Sequence, residues 1–118
     1  MEFTKDKSIY LQITDIMLDN ILNQIWNEGD RIPSVRELAV QVEVNPNTAL
    51  RAYNELQMKE LLENKRGVGF FVAHHAKRKA LALKLDEFKE NNLPQFIKTA
   101  KSLDISPEEL VGLIKKYY

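Results

Sequence analysis

No cysteine occurs among these 118 residues. That excludes a disulfide framework, a thiolate metal centre and a thiol nucleophile, and it fits a reducing cytoplasm. Net charge is missing too, because 17 Lys and Arg balance 17 Asp and Glu. Basicity of the whole chain therefore cannot argue for an anionic partner. Long apolar runs are absent as well: no stretch approaches the ~18 residues of a membrane span, and Met1-Glu-Phe-Thr-Lys-Asp has no leader-like apolar segment. No membrane partner is expected. Nothing resembles a phosphate-cradling loop or a Gly-x-Ser-x-Gly elbow, Gly67-Val-Gly is too short for a nucleotide fingerprint, and the carboxylates spread as helix-surface charges. The reading is a protein without enzymatic activity and without a cofactor.

What is present is one small globular unit with an appendage, 44% hydrophobic and able to bury a modest core. Its charge is unevenly placed. Residues 1–30 carry two Lys against six acids, residues 31–79 nine Lys and Arg against five acids, and residues 80–118 six against six. The basic excess coincides with the most patterned stretch, Arg31 to Leu56.

That stretch holds two helix starts about a dozen residues apart. Ser34 followed by Glu37 is a capping box, opening a helix that buries Val35, Leu38, Ala39 and Val42. Asn45 as N-cap with Pro46 at the first position opens the second. Two helices across a tight turn make a helix-turn-helix. At ~100° per residue, Ala49, Ala52, Tyr53 and Leu56 share one face of the second helix, and Asn47, Arg51 and Asn54 the other. Asn, Thr and Arg at the exposed start of such a helix suit a major groove, although an ordinary solvated face carries similar residues.

Upstream, about eight polar residues precede an amphipathic run from Ile9 to Trp26. Ile9, Ile13, Ile16, Met17, Ile21 and Ile25 recur at helical steps, Ser8 is the N-cap, and Gly29 supplies the stop, predicting about five turns. Downstream, Leu61–Asn64 and Phe70–Ala73 are β-prone runs around Lys65-Arg-Gly-Val-Gly, which reads as a hairpin. Directly after a helix-turn-helix, such a hairpin is a wing. Lys65 and Arg66 can neutralise phosphates or enter a minor groove, while Gly67 and Gly69 permit close backbone approach.

Over about residues 8–73 the sequence resembles the winged-helix domain of GntR-family bacterial transcription regulators. The resemblance rests on Ser8-Ile-Tyr-Leu-Gln-Ile, Gly29-Asp-Arg-Ile-Pro-Ser-Val-Arg-Glu-Leu-Ala, Val44-Asn-Pro-Asn-Thr and Lys65-Arg-Gly-Val-Gly-Phe-Phe-Val, the second and third being similar to the YtrA subfamily. It implies a homodimer binding double-stranded DNA at an inverted repeat, usually as a repressor. It also implies that Arg36 contacts phosphate, that Asn45, Asn47 and Thr48 lie at the groove, and that Arg66 and Gly67 form the wing tip. The expected DNA-binding set is thus Ser34, Arg36, Asn45, Asn47, Thr48, Arg51, Lys65, Arg66 and Gly67. Many relatives carry Arg where Pro46 and Leu50 stand, so their base-reading pattern does not transfer to Arg51. Two family glycines are glutamates here, Glu43 and Glu60. A left-handed backbone at either costs roughly 1 kcal/mol relative to Gly, so Glu43→Gly is expected to stabilise the fold.

The fold class is therefore mainly α with a small β-hairpin: a winged helix-turn-helix over residues 1–73 and a helical tail over 74–118. In the tail, Leu81, Leu85 and Phe88 are apolar at helical steps, and Pro94 either kinks this helix or starts another with Phe96 and Ile97. Ser106-Pro-Glu-Glu caps a last helix containing Leu110 and Ile114. These apolar positions exceed what the tail can bury against itself. Leu81, Leu85, Phe88, Phe96, Ile97, Leu110 and Ile114 are accordingly assigned to dimerisation. The tail is too short for a separate ligand-binding domain, and the sequence names no small-molecule effector. His74 and His75 are not expected to bind metal, since adjacent helical residues point ~100° apart and no carboxylate stands at ligand spacing. The rival reading is a winged helix that binds a protein rather than DNA, distinguished by weak salt dependence.

Overall fold

Apolar side chains at three- and four-residue steps make α1 (Ile9–Leu22) an amphipathic helix, with Ile13, Met17, Leu18 and Ile21 buried. The computed structural model describes residues 8–118; the polar opening expected before the helix lies mostly outside the described residues. Within α1 the Thr14 hydroxyl donates to the Tyr10 carbonyl at 2.8 Å, satisfying a buried polar group. The helix is shorter than expected. Gln24 takes the left-handed conformation (φ 58°), and the amides of Ile25 and Trp26 both turn back to the Asn20 carbonyl. The stop therefore precedes Gly29, whose φ of +82° shapes the following turn instead. Ser8 makes no side-chain cap, and Ile9 and Ile25 are exposed.

The helix-turn-helix forms as its start signals dictate. At α2 (Val35–Gln41) the Glu37 amide donates to Ser34 Oγ and the Ser34 amide donates to Glu37 Oε1, both at 3.1 Å. The chain then reverses through Glu43, left-handed at φ 57°, into α3 (Pro46–Met58). The Asn47 amide donates to Asn45 Oδ1 at 2.8 Å, and Pro46 occupies the first turn, where its missing N–H leaves no bond unmade. Ala49, Ala52, Tyr53 and Leu56 turn inward and are fully buried. Small alanines let α3 lie close to α1, while the larger side chains fill the space between α1, α2 and α3.

Tyr53 joins these helices to what flanks them. Its hydroxyl donates to the Pro33 carbonyl ahead of α2, and its ring meets Phe70 edge to face at 4.9 Å. Burial raises its pKa far above the ordinary tyrosine value, with Glu37 adding to the effect. It stays a neutral donor.

The hairpin has β1 (Leu62–Lys65) antiparallel to β2 (Gly69–Val72), with Leu62 opposite Val72 and Lys65 opposite Gly69. A third segment that the sequence did not reveal lies along β2. Arg31 bridges Phe71, the Ile32 amide donates to the Phe70 carbonyl at 3.0 Å, and the Val72 amide donates to the Asp30 carbonyl at 2.9 Å. The side of β2 away from β1 is thereby paired, which fixes the wing against the turn after α1.

The chain divides into two compact units, Met1–Leu81 and Ala82–Tyr118. The first extends past the hairpin because α4 (Ala76–Glu87) begins with Ala76 and Ala80, both fully buried in its core. Lys79 Nζ donates to the Glu60 carbonyl at 3.2 Å, supporting the left-handed turn there (φ 62°). In the second unit the helix continues through a π-helical turn, Phe88–Asn92, into α5 (Leu93–Ser102). Pro94 thus sits in the first turn of α5, and the backbone stays helical through Asn92 and Leu93. The wider turn accommodates the residue that has no N–H to donate. Last comes α6 (Pro107–Lys115), capped by Ser106 Oγ, which accepts from the Glu109 amide at 3.1 Å. No helix among the described residues is long and apolar enough to cross a membrane.

Candidate nucleic-acid interface

The inward alanine, tyrosine and leucine of α3 force the opposite stripe into solvent. Asn47, Leu50, Arg51 and Asn54 stand there, at steps of three, one and three residues. All four are exposed. Leu50, 42% exposed, is the member that polar reasoning passes over. Its signal is the helical step alone, and its chemistry suits a thymine methyl.

The neighbouring residues differ in how many of their polar atoms are taken up within the protein. Asn45 is exposed, but its side-chain oxygen is already used to cap α3. Its NH2 can still donate, whereas a bidentate pair with adenine needs oxygen and nitrogen together. Asn47 is two residues further along, and while its backbone N–H is taken up by the Asn45 cap, its side-chain amide keeps both its oxygen and its NH2 for an outside partner. Thr48 is half-buried. The Arg51 guanidinium lies 3.8 Å from the centroid of the Tyr10 ring of α1, a cation–π contact that holds the head group beside the stripe.

Ahead of α3, Ser34 caps α2 and Arg36 stands exposed in its first turn. The cap's hydrogen bonds to Ser34, with the nearby Arg31 charge, hold the Glu37 carboxyl below its ordinary pKa. At the wing, Lys65 Nζ sits 4.4 Å from the Phe71 ring centroid, and Arg66 and Gly67 are exposed at the tip. Gly67 has φ +78°, a conformation L side chains rarely adopt, and Val68 N closes the turn on the Lys65 carbonyl at 2.8 Å. A groove of about 280 Å³ runs between the start of α2 and the wing, lined by Arg31, Ser34, Val35, Asn64 and Gly67 among others. Across it, the Arg31 side chain covers Gly69 so closely that a Cβ there would stand 2.9 Å from Arg31 Nε. A side chain there would push the Arg31 head group aside, and the φ of +144° at Gly69 independently favours glycine.

A capped reading helix and a basic glycine-tipped hairpin in one unit are the parts of a winged helix that binds DNA. The family described as bacterial regulatory proteins of the gntR family matches residues 9–72. The chain belongs to the GntR family. Among GntR relatives, it is 37% identical to the HTH-type transcriptional regulator YhcF of Bacillus subtilis, over 98% of this chain and 94% of that protein. It is 38% identical to the HTH-type transcriptional repressor YtrA of the same organism, over 92% of this chain and 82% of YtrA. A GntR-family transcriptional regulator from Listeria monocytogenes superposes with a TM-score of 0.79 at 36% identity, covering 97% of this chain and 98% of that one. This GntR member is accordingly a DNA-binding transcriptional regulator with a YtrA-like sequence, not an enzyme.

The second unit presents a different surface. Of its side chains only Ala100 is buried, while Leu85, Phe88, Phe96, Ile97 and Ile114 are exposed and Leu110 is half-buried. Leu81, at the end of the first unit, is exposed as well. Within this unit, Phe96, Leu103, Leu110, Leu113 and Tyr117 line an apolar hollow of about 340 Å³ between α5 and α6.

Proposed function

We propose that this regulator is a homodimeric repressor that occupies an inverted-repeat operator in the bacterial cytoplasm, where the chromosome lies. Residues 1–73 bind the DNA and residues 74–118 hold two copies together. The observation that carries the reading is the pair of opposite stripes on α3: one fully buried, the other offering an amide, an aliphatic side chain and a guanidinium to solvent. Asn47, Leu50 and Arg51 read base edges, Asn45 and Thr48 donate at the groove margin, and Arg36, Lys65 and Arg66 neutralise phosphates, with Ser34 and Gly67 keeping α2 and the wing close to the backbone.

Dimerisation is supported by the exposed apolar side chains of the second unit. Phe88 and Phe96 each leave about half their surface in water (50% and 49%), a cost that a second copy removes. Two reading helices then sit in successive major grooves about one helical turn apart, matching a palindrome. The name of the YtrA relative supports repression, achieved by occupying the promoter.

Selection of bound sequences from a random duplex library, with the enriched probe re-tested at two salt concentrations, tests this. A palindrome that loses affinity steeply with salt is the expected result. Enrichment without symmetry refutes the dimeric operator, and the absence of DNA binding favours the protein-interaction reading of the winged helix. Light scattering on the parent and on Phe96→Asp tests the tail: a dimer that becomes a monomer is expected.

A further inference from the structure

Glu28 lies in the turn after α1, whereas His74, 46 residues further on, and His75 beside it lie between β2 and α4. The main chain brings them together. Gly29 N donates to the Val72 carbonyl and Val72 N to the Asp30 carbonyl, both at 2.9 Å, so the residues just before Gly29 and just after Val72 are held side by side. His75 is left-handed (φ 61°), and its ring centroid lies 3.7 Å from that of His74. Both histidines precede the first residue of α4, so the divergence of adjacent helical side chains does not apply to them.

His74 Nδ1 is 3.2 Å from Glu28 Oε2, and a ring nitrogen of His75 completes a set of three donor atoms within 4.8 Å of one another. Around a tetrahedral ion with bonds of ~2.0–2.1 Å, neighbouring donors stand about 3.3 Å apart. The Glu28–His74 pair already has that spacing. Closing the third donor requires about 1.5 Å at most, within the reach of a χ rotation of an exposed imidazole. Two imidazoles and a carboxylate suit Zn2+ and its first-row neighbours, whereas Mg2+ and Ca2+ prefer all-oxygen shells.

We propose that Glu28, His74 and His75 form a surface site for a Zn2+-type transition-metal cation, with water completing the coordination shell. The ion replaces the contact between His74 and Glu28 and cross-links the turn after α1 to the link that enters α4. Arg78 and Lys79 stand near enough to act electrostatically on His75 and oppose a cation. Selectivity therefore comes from the imidazoles rather than from net negative charge, and the affinity is modest.

Calorimetric titration of the untagged full chain with Zn2+ tests the site, together with melting curves in Zn2+ and in Mg2+. The expected result is one ion per chain and a melting temperature raised by Zn2+ but not by Mg2+, since an ion bound to the folded state stabilises it. Glu28→Gln, His74→Gln and His75→Asn should each weaken binding at least about 10-fold. Asparagine tolerates the left-handed backbone at position 75; if that variant still misfolds, the other two decide. No heat and no shift at millimolar Zn2+, equal shifts with Mg2+, or binding unchanged in Glu28→Gln and His74→Gln would each overturn the proposal.

Discussion

Replacing Gln24 by Gly should make the protein more stable, although it deletes a side chain. Gln24 ends α1 at φ 58°, its side chain is exposed, and the hydrogen bonds it makes are those of its amide to the Ile21 carbonyl and its carbonyl to Asn27 Nδ2. An L residue in that conformation costs ~1–2 kcal/mol. Glycine removes this cost but returns ~0.5–1 kcal/mol through its freer unfolded chain, leaving a net gain of about 0.5–1 kcal/mol. For a unit of this size that raises the melting temperature by roughly 2–8 °C. Urea unfolding followed by far-UV circular dichroism should show a higher midpoint at unchanged slope. Gln24→Ala is the control, because it shortens the side chain but keeps the Cβ that causes the strain. Were the Gly and Ala variants to unfold at the same urea concentration, strain at Gln24 would not be what the substitution relieves. Glu43→Gly and Glu60→Gly relieve the same strain at φ 57° and 62°. Their gain is smaller by whatever interactions the substitutions remove: Glu60 Oε2 lies 3.6 Å from Lys79 Nζ, and Glu43 is also partnered.

The remaining predictions concern the DNA-facing surface. Asn47→Ala should cost roughly 1–3 kcal/mol on the selected operator and little on random duplex, whereas Arg66→Ala should weaken binding on both and reduce the salt slope by about one; fluorescence anisotropy at several salt concentrations separates them. Replacing the contacted thymine by uracil should weaken the parent about fourfold, the worth of roughly one buried methyl at ~0.8 kcal/mol, and leave Leu50→Ala unaffected. Tyr10→Leu should tighten operator binding about two- to fivefold by freeing Arg51 from a contact worth ~0.5–1 kcal/mol, and do nothing in an Arg51→Ala background. The lowered pKa of Glu37 means that its contribution is fully present above the ordinary carboxylate value of 4.5 and is lost as pH falls through the lower folded value. Acid unfolding of Glu37→Gln should lack that component.

What the sequence revealed and what it hid divide by chemical range. The capping box at Ser34 and Glu37, the Asn45–Pro46 start of α3 and the hairpin turn at Gly67 are written within four residues of one another, and all three form as read. The end of α1 was not legible. No glycine marks it, and Gln24 accepts the left-handed conformation while the following amides of Ile25 and Trp26 bond the Asn20 carbonyl. Nor was the pairing of Asp30–Ile32 with β2, since three residues are too few to carry a periodic pattern. The meeting of Glu28 with His74, and of Tyr10 with Arg51, depends on residues more than forty positions apart. Such contacts follow only from the packed fold.

Within the proposed DNA-facing set, the same distinction assigns roles. A residue whose polar atoms are used inside the protein has fewer left for a base, so legibility as a cap counts against service as a reader. Asn45 spends its oxygen on the Asn47 amide, and Ser34 spends its own on Glu37. Both are therefore placed to steady helix starts, where a single remaining donor reaches a phosphate or one base acceptor. In the proposed reading, discrimination falls instead to the exposed stripe of α3 that begins two residues further along, at Asn47. There Asn47 keeps its side-chain amide, Leu50 offers an aliphatic end, and Arg51 would give up ~0.5–1 kcal/mol of contact with Tyr10 to gain ~1–3 kcal/mol at a guanine. Release is favoured only where a guanine is present, and the contact with Tyr10 is subtracted from what that guanine contributes, so Tyr10 weakens the grip on the operator and adds nothing to discrimination, in line with the tightening expected of Tyr10→Leu.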